Sequence, residues 1–198
     1  AWNLQEAVDA CLEAKWALSY AEDPVGPEAG FSSREIHAEF KMATGIPVAT
    51  NMFSVNFRQL YHSLIQKSVD IVLADPHFWT MSGSLRVAQD LSDWGLTWGI
   101  HSNNHFDITL AAFVQCAAAA PGKITAIDTH YIWQDGQYLT HNPLLIQNGS
   151  IQVPSAPGLG VEVNLEAVEQ ANRRNDAIAM QYLVPNWVYD SKRPCLVR

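Results

Sequence analysis

Apolar runs that break into polar clusters recur along this chain at a steady interval. Leu96-Thr97-Trp98-Gly99-Ile100 meets His101-Ser102-Asn103-Asn104-His105, and a new apolar stretch follows from about Asp107. The same transition occurs where Leu18-Ser19-Tyr20-Ala21 meets Glu22-Asp23-Pro24 and where Ile46-Pro47-Val48-Ala49-Thr50 meets Asn51. It occurs again where Val69-Asp70-Ile71-Val72-Leu73-Ala74 meets Asp75-Pro76-His77, and where Ile124-Thr125-Ala126-Ile127 meets Asp128-Thr129-His130. Successive polar ends lie about 24–29 residues apart, the length of one strand, one helix and two short loops. The runs are continuous, as in parallel strands buried on both faces. They predict strands at about 16–22, 46–51, 69–75, 96–101 and 124–130.

Helices are legible between them. Asn3 and Glu6 predict a capped start for Leu4–Lys15, and Ser32 with Glu35 predicts a capping box for a helix through about Ala43, closed by Gly45. The apolar face of that second helix reads as Ile36, Phe40 and Ala43, which leaves His37 on the surface along with His62 and His141. Phe57–Gln66, Ser82–Trp94 and Asp107–Ala120 complete the set, the last apolar nearly all round and so packed on several sides.

Regular βα alternation gives either a doubly wound sheet or a barrel. No Gly-x-Gly-x-x-Gly follows the first strand and no phosphate-binding Gly-x-x-x-x-Gly-Lys-Ser/Thr occurs, which weakens the nucleotide-binding alternative. Polar groups at the ends of five successive strands favour an α/β fold of the (β/α)8 type, in which every strand end opens on one mouth. Residues 1–133 then read as a partial barrel, strands 4 to 8, with three strands expected upstream of Ala1. The chain opens without methionine at a helix cap, in keeping with that expectation. Residues 134–198 change character: Gly, Pro and short β-like pieces, a turn at Pro157-Gly158-Leu159-Gly160, a short helix at Leu165–Asn172 and an aromatic, proline-rich tail. They are expected to be an extension packing on the barrel and on a capping domain absent from this chain.

Composition narrows the function. The 198 residues are 48% hydrophobic and 16% charged, which is globular, and the net charge of −8 without a basic stripe argues against nucleic acid. Cys11, Cys116 and Cys195 are far apart and odd in number, so reduced, mostly buried thiols in a cytoplasmic protein are expected. No segment reads as a signal peptide, and the apolar runs are too short to span a bilayer.

Chemistry is expected at the strand ends. Glu22 and Asn51, with Glu28 as a rival, offer oxygen ligands that suit a hard cation such as magnesium; the plainer alternative is a helix cap or loop carboxylate. Asp75 and His101 end adjacent strands, so the carboxylate could fix the imidazole's tautomer; the plainer alternative is an Asp-Pro turn and a satisfied histidine. His77, His105 and His130 lie near the same rim and invite a zinc-hydrolase reading, although none shows helix-borne His-Glu-x-x-His spacing. Arg174, in the polar run 172–176, could grip a carboxylate or pair at the surface.

Long motifs then carry a resemblance. Ala21-Glu22-Asp23-Pro24, Ala49-Thr50-Asn51-Met52, Leu73-Ala74-Asp75-Pro76-His77-Phe78-Trp79, His101-Ser102-Asn103-Asn104-His105-Phe106-Asp107 and Ala126-Ile127-Asp128-Thr129-His130 closely resemble the glucarate dehydratase family. Ala179-Met180-Gln181-Tyr182-Leu183 and Lys192-Arg193-Pro194-Cys195 extend the match to the C-terminus. That family belongs to the mandelate-racemase-like branch of the enolase superfamily. The resemblance implies a magnesium-dependent removal of water from an aldarate, D-glucarate or its epimer L-idarate, giving 5-dehydro-4-deoxyglucarate. The family takes the proton beside a carboxylate and expels a hydroxyl from the β carbon. By position, Glu22 or Glu28 and Asn51 resemble metal ligands. His101, oriented by Asp75, resembles the acid–base histidine. Asn51, Ser102, Asn103, His130 and Arg174 resemble substrate contacts. A homo-oligomer is expected, and no nucleic acid or membrane partner.

Departures shape the alternatives. The family's Lys-x-Lys base and first aspartate ligand belong upstream of Ala1, so residues 1–198 alone are expected to be inactive. Phe53-Ser54-Val55-Asn56-Phe57 after Asn51 differs from the family's usual form, which leaves room for altered substrate preference. The alternatives are a related acid-sugar dehydratase or epimerase, a low-activity paralogue that binds or stabilises a partner, and a zinc amide hydrolase.

Overall fold

The structure is a computed structural model that describes residues 2–101, 105–125, 127–134 and 136–181. Helix α1 (Leu4–Glu13) opens on the predicted capping box: Asn3 Oδ1 accepts from the Glu6 amide at 2.9 Å, and Glu6 Oε2 accepts from the Asn3 amide at 3.1 Å. Helix α2 (Ser33–Thr44) repeats the device with Ser32 and Glu35 and ends at Gly45, whose φ of 65° needs no Cβ penalty. Helix α3 (Phe57–Ile65) follows Asn56, which accepts from the Gln59 amide. Helix α4 (Pro76–Asp93) starts earlier than the pattern at Ser82 predicts. Asp75 caps an added turn with Pro76 in its first position, and the helix is then broken at Thr80, φ 61°.

Strands β1 (Ala21–Glu22), β2 (Val48–Thr50), β3 (Ile71–Leu73), β4 (Thr97–Gly99) and β5 (Lys123–Ile124) form one parallel sheet in chain order. Parallel strands in sequence order, each pair joined through a helix, are the succession of a barrel wall. The strands are shorter than the apolar runs. Residues 16–20 are not strand, and Trp16 is 90% exposed. The 124–130 prediction shifts to Lys123–Ile124, because pairing with β4 stops at Ile124 and both residues of β5 are exposed.

The sheet has two apolar faces. Val48, Val72, Ala74, Trp98 and Ile100 join the main core with Ile36 and Phe40 of α2, Val87, Ala88 and Leu91 of α4, and Phe113 of helix α5 (Asp107–Ala119). Ala49, Ile71 and Leu73 form a separate small cluster with Tyr20. Side chains alternate along a strand, so β2 sends Val48 to the helices and Ala49 to the other side. Gly99 belongs to that other side: a Cβ there would lie 2.8 Å from Leu73 Cδ2 and press on Thr125. Continuing the alternation to the strand ends puts Glu22, Asn51, Asp75 and His101 on the small-cluster face, the one that a barrel turns inward.

Residues 137–164 pack on the far side of α5, where Leu110, Ala111 and Val114 form a second core with Tyr131, Leu144, Ile146 and Ile151. Strands β6 (Ile146–Gln147) and β7 (Ser150–Ile151) make a hairpin whose turn, Asn148-Gly149, has positive φ at both residues. Helix α6 (Leu165–Gln181) runs well past the predicted end at Asn172: the polar run is helical, and Glu169 pairs with Arg173 one turn on, at 2.6 Å. Cys11 and Cys116 are free and buried, while Cys195 and the tail from Tyr182 lie outside the described residues. Among the described residues no helix is long and apolar enough to cross a membrane.

Candidate active site

His101 stands at the end of β4 with 22% of its side chain exposed. Its Nδ1 lies 3.1 Å from Glu22 Oε1 and 3.6 Å from Asp128 Oδ2. Both contacts become ion pairs when the imidazole is protonated. Glu22 ends β1, three strands away from β4. Neighbouring strands are about 4.8 Å apart, so side chains from β1 and β4 touch because the sheet curls and its strand ends face one another. Glu22, first, and then Asp128 and Asp75 hold the imidazole above its ordinary range, against an opposing effect of burial.

The expected Asp75–His101 hydrogen bond is not formed. Asp75 is fully buried, and its Oδ1 accepts from the His77 amide at 2.8 Å as the cap of α4. The imidazole in contact with it is that of His77, with Nδ1 at 3.4 Å. The Asp-Pro step explains this: the extended backbone at Asp75 points its carboxylate at the amide two residues on. Asp75 Oδ2 is buried without a hydrogen-bond partner, and burial raises the carboxyl above the usual range. It therefore influences His101 through space.

Two carboxylates compete for the metal role. Glu22 faces His101, whereas Glu28 Oε2 accepts from the Leu4 amide at 2.8 Å, at the start of α1. Asn51 is nearly buried at the end of β2, with its amide 3.4 Å from Asp23 Oδ2. Sequence reasoning missed Asp23, the residue after Glu22, whose carboxyl is pushed up to about 6, chiefly by burial. It also missed Asp128. His37, read as a surface residue, is fully buried, while Ala43 is exposed. The buried stripe of α2 is Ile36, His37, Phe40 and Thr44, and the seven-residue step from His37 to Thr44 was the signal available.

The other rim residues separate. His130 stacks on Trp133 at 4.4 Å. Arg174 is exposed and lines a cleft of about 640 Å³ with Phe106, Gln137 and Leu139. Ser102 and Asn103 lie outside the described residues. His105 is buried, bonded through Nε2 to Thr129 Oγ1 at 3.0 Å and packed on Phe113. Among the described residues no three His, Cys, Asp or Glu side chains are grouped to hold a metal ion.

His105 carries a prediction. Burial, first, lowers its pKa from 6.5 to about 4. The unfolded chain therefore takes up a proton between those values that the folded one refuses, and stability present above pH 6.5 is lost as pH falls toward 4. The loss can reach about 3 kcal/mol. Urea unfolding at pH 7, 6, 5 and 4.5 should show a shallower acid decline in His105→Gln than in the wild type. Parallel declines would contradict this assignment.

A probable glucarate dehydratase of Streptomyces coelicolor is 35% identical over 207 residues, covering 96% of this chain and 46% of that protein. A D-xylonate dehydratase of Haloferax volcanii is 32% identical, covering 76% of this chain and 35% of the relative. The chain thus spans less than half the length of either. Among solved structures, an enolase of Gibberella zeae complexed with magnesium, formate and sulfate superposes with a TM-score of 0.82 at 32% identity, covering 90% of this chain and 41% of that one. The family model described as enolase C-terminal domain-like matches residues 1–168, and the chain belongs to that family.

Proposed function

We propose that this chain is the C-terminal part of a magnesium-dependent acid-sugar dehydratase of the enolase superfamily. Its substrate is an aldarate, D-glucarate or L-idarate, and its product is 5-dehydro-4-deoxyglucarate. The observation that carries the reading is the approach of His101 to the Glu22 carboxylate across the curled sheet, on the rim that also holds Asn51. The named relatives, both dehydratases of sugar acids, support it.

The donor set fits magnesium. Carboxylate oxygens from the 22–28 loop and the Asn51 amide oxygen are hard ligands, and magnesium ordinarily takes few protein ligands, completing its shell with water and substrate. When bound, the ion supplies positive charge to the substrate carboxylate whose neighbouring proton is removed. His101 then moves a proton: its elevated basicity and partial exposure suit it to take one from carbon or to give one to the leaving hydroxyl. His130, Arg174, Ser102 and Asn103 are proposed substrate contacts, with Arg174 suited to the distal carboxylate. Asp75 tunes the imidazole from a distance. Cytoplasmic location and self-association belong to the same proposal.

The full-length protein incubated with magnesium and a panel of aldarates and aldonates tests this. Formation of a 2-keto-3-deoxy product from an aldarate is expected. Turnover of xylonate alone would place the protein with the related acid-sugar dehydratases, and no turnover of any would remove the enzymatic reading. Glu22→Gln and Glu28→Gln, compared for magnesium affinity, decide which carboxylate is the ligand.

A further inference from the structure

We propose that Thr50 and Asp23 are positioning residues that set the Asn51 turn for a divalent cation. The inference rests on the reading above that Asn51 faces the metal. Asp23 adopts φ 42°, a left-handed conformation uncommon for a residue with a side chain. That turn folds its carboxylate back onto the end of β2. Its amide donates to Ala49 O at 3.1 Å, and its Oδ1 accepts from the Thr50 hydroxyl at 2.6 Å. Thr50 is fully buried, and its Oγ1 in turn accepts from the amides of Met52 at 3.0 Å and Phe53 at 3.3 Å. One hydroxyl thus ties Asp23 to both amides that follow Asn51.

Helix α2 braces the same turn from behind. Arg34 Nη1 donates to Phe53 O at 2.9 Å. The fully buried His37 ring packs on Phe53 at 4.4 Å. His37 Nδ1 donates to Ser33 O at 2.6 Å, which leaves Nε2 without a hydrogen-bond partner, 4.0 Å from Asp23 Oδ1. Asn51 therefore sits in a three-residue turn fixed from the β1 loop, from β2 and from α2. A turn so held fixes the backbone from which the Asn51 side chain projects, and outer groups that orient a metal ligand govern affinity.

The test measures Mn²⁺ binding to the full-length protein directly, by electron paramagnetic resonance of the free ion. Thr50→Val keeps the shape and removes the hydroxyl; the dissociation constant should rise about 10–100-fold. Thr50→Ser should restore binding to within about threefold of wild type, well inside that span. Asp23→Asn, which sets an amide against the Asn51 N–H, should weaken binding similarly and carries the comparison if Thr50→Val does not fold. Asn51→Ala separates the two layers of the argument. Weak binding in Asn51→Ala with wild-type binding in Thr50→Val and Asp23→Asn would overturn the positioning role alone. Wild-type binding in Asn51→Ala would overturn the ligand reading and this inference with it.

Discussion

Replacing His101 by asparagine in the full-length protein is expected to lower the proposed aldarate dehydration about a thousandfold, within the range that a general acid–base group contributes. Asparagine keeps a planar polar group at the end of β4 but cannot exchange a proton near neutral pH. The imidazole can, and its surroundings decide how. Glu22 at 3.1 Å and Asp128 at 3.6 Å keep the protonated form favourable, so stabilisation from these pairs is fully present below pH 6.5 and fades as pH rises through the raised value. In the metal-free protein, Glu22→Gln should accordingly move the titration of His101 toward acid, which NMR of the ring carbons follows. Initial rates of keto-acid formation, with a thermal melt to confirm folding, check His101→Asn. A folded His101→Asn protein that keeps more than a tenth of the wild-type rate would show that another group moves the proton.

The largest effect on stability is expected at Asp107. Its carboxylate is fully buried at the first turn of α5, where the helix dipole favours it. It accepts from the amides of Leu139 and Thr140, each at 2.9 Å, and from the Thr140 hydroxyl. These bonds hold the 137–164 segment against α5, and the Thr140–Val163 bridge closes that segment on itself. Alanine would leave two buried donors of Thr140 and the half-buried Leu139 amide without partners, at about 1–3 kcal/mol for each buried one, so a loss of about 4 kcal/mol is expected. Asp107→Asn keeps an acceptor oxygen and should lose less than Asp107→Ala. Chemical denaturation of the full-length variants measures this. A cost below about 1 kcal/mol for Asp107→Ala would mean that the segment is held by its apolar contacts with Leu110 and Val114 rather than by the carboxylate.

How much of this was legible depends on how local the signal is. The capping boxes of α1 and α2 were readable because Asn3 and Glu6, or Ser32 and Glu35, act within one turn. The chain order of the sheet followed from the recurring apolar runs. Strand lengths did not, since an apolar run marks burial and not pairing: Val69 and Ala74 are buried outside the ladder of β3. The site was legible as a set of strand ends and not as a set of partners. Asp75 and His101 occupy neighbouring strand ends, yet a three-residue Asp-Pro-His cap captured the carboxylate, while curvature brought Glu22 from three strands away. That distance in the sheet is invisible to adjacency along the chain. Asp23 and Thr50 were hidden for another reason: each stands beside a more conspicuous residue, and their roles arise only when β1 and β2 meet.

The central claim is that a divalent cation and the His101 imidazole occupy one cavity. Paramagnetic broadening measures it without reference to turnover. In the full-length protein labelled on histidine ring carbons, with the His101 signal assigned by its loss in His101→Asn, titration with Mn²⁺ should broaden that signal in step with occupancy. The signal of the exposed His62 on α3 should stay sharp. A His101 signal that stays sharp when the ion is bound would place the metal elsewhere and contradict the account.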